Sequence, residues 1–219
     1  MKIAVMAGTP VDTNLGVELL KKHGYNNLIV IPISKNPIEQ TTFQAMKKIE
    51  KEKVIIEYIK KLKMQNCTKI FVYCNSLSSA INFDELSKKY NMTIITPMQM
   101  YRTLGFEYCY LAVITANSHG LVGVENNLYI ANPELKILGI TMLELVKAIE
   151  EKQKPGEIVA KFNFIHLLNY FEQMQIEAIV LGCTHFPYIK NELKKITSLP
   201  IIDVGIYMVE KLNKNTPKK

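Results

Sequence analysis

Ile70-Phe71-Val72-Tyr73-Cys74-Asn75-Ser76 is a short apolar run that ends on a thiol and two small polar residues. Ile179-Val180-Leu181-Gly182-Cys183-Thr184-His185 repeats that pattern in the second half of the chain. A brief apolar run closed by small polar residues reads as a strand. The polar residues behind each cysteine then mark the turn at which a strand gives way to a helix. Further strand-like runs lie outward from these two. The set is residues 2–7, 27–31, 69–73, 93–96, 110–115, 136–139, 178–181 and 201–203.

Amphipathic stretches fall between the runs, at about residues 14–22, 41–64, 84–90, 142–150, 157–174 and 188–196. The clearest is 41–64, where Phe43, Met46, Ile49, Ile56 and Ile59 recur at helical steps or their multiples. Strands alternating with helices predict an α/β fold with mainly parallel sheets.

The landmarks also recur. Val5 and Val113, Ile31 and Leu138, Cys74 and Cys183, and Ile95 and Ile201 are each separated by about 106 to 109 residues. This predicts two similar, pseudo-symmetric α/β units. Residues 1–97 with 204–219 form the first domain, the last stretch packing back on it, and residues 98–203 form the second. The polar end from residue 213 is expected to fray.

Composition bounds the class. The chain has 219 residues, 48% apolar and 21% charged, as in an ordinary soluble globular protein. No apolar run reaches the roughly 18 residues that a membrane span requires. Met1 to Ala7 is too short for a secretory core and reads as a first strand, so a cytoplasmic protein without membrane attachment is expected. The net charge is +7, but Arg102 is the one arginine among 27 basic residues, and the lysines are interspersed with glutamates. That pattern is a solvated surface and argues against nucleic acid as a partner. The positive field favours small anionic substrates. Cys67, Cys74, Cys109 and Cys183 form no C-x-x-C pair, and Cys67 and Cys109 are expected to be inert.

Ligands of open α/β sheets bind beyond the carboxyl ends of the strands. The segments leaving those ends are Gly8-Thr9-Pro10, Cys74-Asn75-Ser76, Thr115-Ala116-Asn117-Ser118 and Cys183-Thr184-His185. Most of these residues are small and polar with free N–H groups, suited to an anionic group at a helix start. A single cysteine at a strand end is usually a small buried hydrophobe. Two at matched positions, each before a helix start that favours the thiolate, point to a catalytic pair.

His185, two residues after Cys183, is placed to hold or move a proton beside the thiol. A zinc site on Cys183 and His185 lacks a third and a fourth ligand at suitable spacing, so no metal is expected. Gly8-Thr9-Pro10 has neither the G-K-[ST] nor the G-x-G-x-x-G pattern of a nucleotide loop. Thr9 is placed to donate to a substrate carboxylate. Asp12 either serves the site or caps a helix beginning near Asn14. Glu144 either reaches the site or lies on a solvated helix face.

Val72-Tyr73-Cys74-Asn75-Ser76 with Ser79-Ala80, and Leu181-Gly182-Cys183-Thr184-His185-Phe186-Pro187, resemble the aspartate/glutamate racemase family over nearly the whole chain. The second run is most similar to glutamate racemases. The resemblance implies two pseudo-symmetric α/β domains with the active site in the cleft between them. It implies a reaction without pyridoxal phosphate or metal, in which one cysteine thiolate takes the α-proton and the opposite thiol returns one. It assigns Cys74 to the D-enantiomer and Cys183 to the L-enantiomer. His185, as the expected partner of Cys183, is a candidate supporting residue, and Glu144 is a second candidate from its own position after the 137–141 run. Asn75, Ser76 and Thr184 become the grip on the α-carboxylate, and Thr9 and Thr115 become lining of the substrate pocket, with Gly8 a further substrate-binding candidate from the segment that leaves the first strand. The implied partner is a small acidic amino acid, and the family's habit of dimerising is compatible with a homodimer.

Two departures stand out. Glutamate racemases usually carry Asp-Ser directly after the first strand, where this chain has Ala7 and Gly8. Aspartate-specific relatives carry an arginine after a proline in the second loop, and Pro37-Ile38-Glu39-Gln40-Thr41 has none. Two other readings therefore stay open: a related decarboxylase or isomerase that uses one cysteine, and a non-catalytic binding protein for an acidic amino acid.

Overall fold

The computed structural model describes residues 2–214. The chain divides into two compact units, one running up to Met98 and resuming at Gly205, the other spanning Gln99–Val204. In the first unit the order is β1 (Ile3–Ala7), α1 (Pro10–Lys22), β2 (Leu28–Pro32), α2 (Pro37–Ala45), α3 (Lys48–Met64), β3 (Lys69–Val72), α4 (Asn75–Ala80), α5 (Phe83–Tyr90) and β4 (Thr93–Ile95). The connecting helix α6 (Pro97–Leu104) leads to β5 (Tyr110–Thr115), α7 (Ser118–Ala131), β6 (Lys136–Thr141), α8 (Leu143–Glu150), α9 (Pro155–Lys161), α10 (Phe164–Gln173) and β7 (Ala178–Leu181). A 3-10 turn (Phe186–Ile189), α11 (Lys190–Leu193), β8 (Ile201–Ile202) and α12 (Val204–Lys214) complete the described chain.

Each unit is built on a four-stranded sheet, ordered β2-β1-β3-β4 in the first and β6-β5-β7-β8 in the second. Every pairing is parallel. The fold is therefore the expected α/β class, with one topology used twice. β3 and β7 occupy the same slot in their sheets, and Cys74 and Cys183 lie just beyond their carboxyl ends.

Parallel sheets need both faces covered. Every residue of β1, β3 and β7 is buried. Ile55, Ile59 and Leu62 of α3 join Ile70 and Val72 in one core. Phe164, Leu168 and Phe171 of α10 join Ile179 and Leu181 in the other. No helix among the described residues is long and apolar enough to cross a membrane.

Local chemistry explains where the helices begin and end. Helix α1 starts at Pro10, not near Asn14, because Thr9 is its N-cap and accepts the Asp12 N–H. Asp12 thus lies inside the first turn and is not the cap. The long helix expected at 41–64 is two helices. Met46 and Lys47 are extended (ψ 154° and 147°), and the Glu50 carboxylate accepts the Lys47 N–H to start α3.

The stretch 157–174 breaks in the same way at Asn163, whose φ of 54° is left-handed. Helix α7 escapes a hydrophobic-period reading because its buried stripe is Gly120, Gly123, Val124 and Leu128, half of it without side chains. The expected frayed end falls largely beyond residue 214, outside the described residues.

Candidate active site residues

In the first unit Cys74 follows β3 as the N-cap residue of α4 and is 3% exposed. Its thiol is pushed up to about 12, first by burial and second by the negative charge of Asp12. The Ser76 hydroxyl and the backbone groups of Leu77 and Gly8 oppose that rise. Burial and Asp12 accordingly favour the protonated thiol at neutral pH.

A carboxamide cluster surrounds the sulfur. Gln44 Nε2 donates to Ser76 Oγ at 3.0 Å, and Gln40 Nε2 donates to the same oxygen at 3.5 Å. Gln40 Nε2 also lies 3.9 Å from Cys74 Sγ, and Ser76 Oγ lies 3.5 Å from that sulfur. Because Ser76 Oγ receives two amide donors, its own proton is left for the sulfur. The carboxamide of Gln40 sits against Gly8: a Cβ there would come within 2.1 Å of Gln40 Nε2 and 3.2 Å of Asp12 Oδ2.

In the second unit the geometry is a relay. Cys183, buried just beyond β7, has its sulfur 3.6 Å from His185 Nδ1. The other ring nitrogen, Nε2, lies 3.2 Å from Glu150 Oε1 at the end of α8. An imidazole protonated on Nε2 donates to the carboxylate and leaves Nδ1 to accept the thiol proton. Sulfur and carboxylate thus engage opposite ring nitrogens, an arrangement suited to moving a proton through the ring. Gly182 permits the close approach of this loop to β5. A Cβ at Gly182 would stand 2.7 Å from Thr115 Cγ2 and 3.1 Å from Ile114 O.

The other residues that the sequence points to each sit within their own unit. Gly8 and Thr9 lie beyond the end of β1 and Asn75 and Ser76 beyond the end of β3, next to Cys74 in the chain, and Thr9, Asn75 and Gly8 are buried. Thr115 is fully buried at the end of β5 and donates to Asn117 O at 3.1 Å. Thr184 is buried beside Cys183. Glu144 is exposed on α8 and pairs with Lys147 at 2.6 Å, so the solvated-face reading describes it. Sequence reasoning misses two residues. Glu150, on the same helix as Glu144, carries the contact to His185. Gln40 carries the contact to Cys74. The signal for Glu150 is its place beside the buried face of Leu145, Ala148 and Ile149.

No family model matches the chain. Individual relatives do. The glutamate racemase of Fusobacterium nucleatum is 28% identical over 156 residues, covering 67% of this chain and 56% of its own length. The chain thus spans little more than half of that relative. The glutamate racemase of Clostridium acetobutylicum is 27% identical over 206 residues, covering 92% of this chain and 78% of the relative. Among solved structures, the glutamate racemase of Francisella tularensis in complex with D-glutamate superposes with a TM-score of 0.74 at 21% identity, over 97% of this chain and 80% of that one. In sequence the chain is similar to glutamate racemases, and its fold is that of the solved glutamate racemase structure.

Proposed function

We propose that the protein interconverts the L- and D-enantiomers of an acidic amino acid, glutamate or aspartate, with two thiols and no cofactor. The carrying observation is that β3 and β7 hold the same slot in two sheets of one topology and each runs into a cysteine. The protonation chemistry of the two thiols differs in the sense the reaction needs. Cys183 can pass its proton to His185, whose imidazolium Glu150 then stabilises, so this cysteine is the base. Cys74 is held as the thiol, so it is the acid.

In the L-to-D direction the Cys183 thiolate takes the α-proton and becomes a thiol, leaving a carbanion. The Cys74 S–H bond then breaks and its proton forms the new Cα–H bond on the other face, leaving a thiolate. The reverse direction exchanges the roles. An α-proton is far less acidic than a thiol, so the developing charge must be stabilised. Asn75, Ser76 and Thr184, with the N–H groups that follow each cysteine, are the donors proposed to hold the substrate carboxylate as charge grows on it. Gly8, Thr9 and Thr115 are proposed to shape the same pocket.

The test is enantiomer conversion across a panel of L- and D-amino acids, followed by optical rotation. Conversion of glutamate or aspartate supports the reading. Release of carbon dioxide from a malonate without racemisation supports the one-cysteine decarboxylase in its place.

A further inference from the structure

Position 8 is where a side chain next to the first cysteine is missing, and the structure shows what fills the space. The Gln40 carboxamide occupies the point at which a Cβ of residue 8 would lie. It comes from α2, the helix that opens with Asn36 accepting the Glu39 N–H. Gln44, one helical turn further on, directs its own carboxamide onto Ser76.

We propose that Gln40 and Gln44 are positioning residues for Cys74, a pair of carboxamide donors on α2 that replaces the side chain absent at Gly8. Hydrogen-bond direction is what assigns them this role. Each carboxamide nitrogen has protons to give and none to accept. Two such donors on Ser76 Oγ satisfy its lone pairs, so the hydroxyl proton turns to Cys74 Sγ. Gln40 adds a direct donor to the same sulfur.

These contacts therefore run along one path, from the carboxamides through Ser76 to the sulfur. Such a path stabilises negative charge on sulfur. That is the state Cys74 must reach whenever it has given up its proton, and the state that burial and Asp12 disfavour. The cluster offers donors without a charge of its own, so it eases formation of the thiolate without holding it permanently. Gly8 is part of the device, because any side chain there displaces the Gln40 carboxamide.

The proposal rests on Cys74 being a reacting thiol, but its test does not depend on racemisation. The four cysteines are alkylated with iodoacetamide at pH 8 and each rate is read by peptide mass spectrometry. The Gln40→Met/Gln44→Met double variant keeps side-chain bulk and removes both donors. It should alkylate Cys74 about tenfold more slowly, with Cys183 unchanged and the far-ultraviolet spectrum unaltered. Gly8→Ser should slow Cys74 by a similar factor in the native background. In a Gln40→Ala background the same serine should add no further loss. Where racemisation is measured, the double methionine variant should lose kcat with KM held within about twofold. Wild-type alkylation of Cys74 in the double variant, or an equal penalty for Gly8→Ser in both backgrounds, overturns the proposal. An alkylation effect in a protein that racemises nothing would leave it standing and reject the proposed function instead.

Discussion

His185 stands between Cys183 and Glu150, with Nδ1 3.6 Å from the thiol sulfur and Nε2 3.2 Å from the carboxylate. In the proposed reaction one ring couples the thiol that loses a proton to the carboxylate that stabilises the resulting cation. His185→Asn should lower kcat by roughly 10²- to 10⁴-fold, the usual contribution of a positioned acid–base group, with KM little changed. Glu150→Gln keeps the shape and removes the charge, and should cost about tenfold in kcat. Glu144→Gln should leave kcat where it was, because that side chain is exposed and paired with Lys147. Initial rates for the three variants check the order.

The Cys74 thiol sits at about 12 in the folded protein, against 9.0 for an ordinary thiol. Between these values the unfolded chain loses the proton while the folded chain keeps it, so stability falls as pH rises through that window. The slope expected from one such group is about 1.4 kcal/mol per pH unit. Denaturant melts at pH 8, 9 and 10 should show the loss in wild type and a smaller loss in Cys74→Ser.

Gly182→Ala should destabilise the second unit by about 1 to 3 kcal/mol, the range for overpacking a tight site. The added methyl meets Thr115 Cγ2 at 2.7 Å and a backbone carbonyl at 3.1 Å, and the carbonyl cannot swing away as a flexible side chain would. Because Gly182 precedes Cys183, the same change should shift the thiol and reduce activity beyond its effect on folding. Thermal melts and specific activity of the soluble fraction separate the two losses.

Phe171→Ala should cost about 3 to 5 kcal/mol, since the ring is fully buried in the core of the second unit. Ile38→Ala should cost less than about 0.5 kcal/mol, because Ile38 is 79% exposed. Urea titrations of both variants make the comparison.

Strands are legible in the sequence where an apolar run is continuous and bounded. β5 and β7 end where the run ends. β6 continues to Thr141 because Ile140 and Thr141 pair with Ile114 and Thr115, a long-range fact that no local pattern contains. The apparent stripe across 41–64 conceals a break. Ile49, which falls on that stripe, is 63% exposed, whereas Ile55 is fully buried.

At the site, the nearness of Cys183 and His185 can be read from their spacing of two residues. Glu150 is 35 residues away from His185 in the chain. Its role depends on how the end of α8 meets the loop after β7, so the sequence reading names Glu144 and not Glu150. Gln40 is further hidden, because its contact to Cys74 occupies space left by the absent side chain at Gly8, far earlier in the chain. That absence becomes a space to fill only when β1 and α2 are assembled.

The most direct measurement is α-hydrogen exchange during racemisation in deuterium oxide, made on wild type, Cys74→Ser and Cys183→Ser. In wild type, glutamate or aspartate should gain deuterium at the α-carbon as its optical rotation decays. Each serine variant should racemise at least about 100-fold more slowly. Cys74→Ser should exchange the L-enantiomer faster than the D-enantiomer, and Cys183→Ser the reverse. Full racemisation by either variant would contradict the two-thiol account.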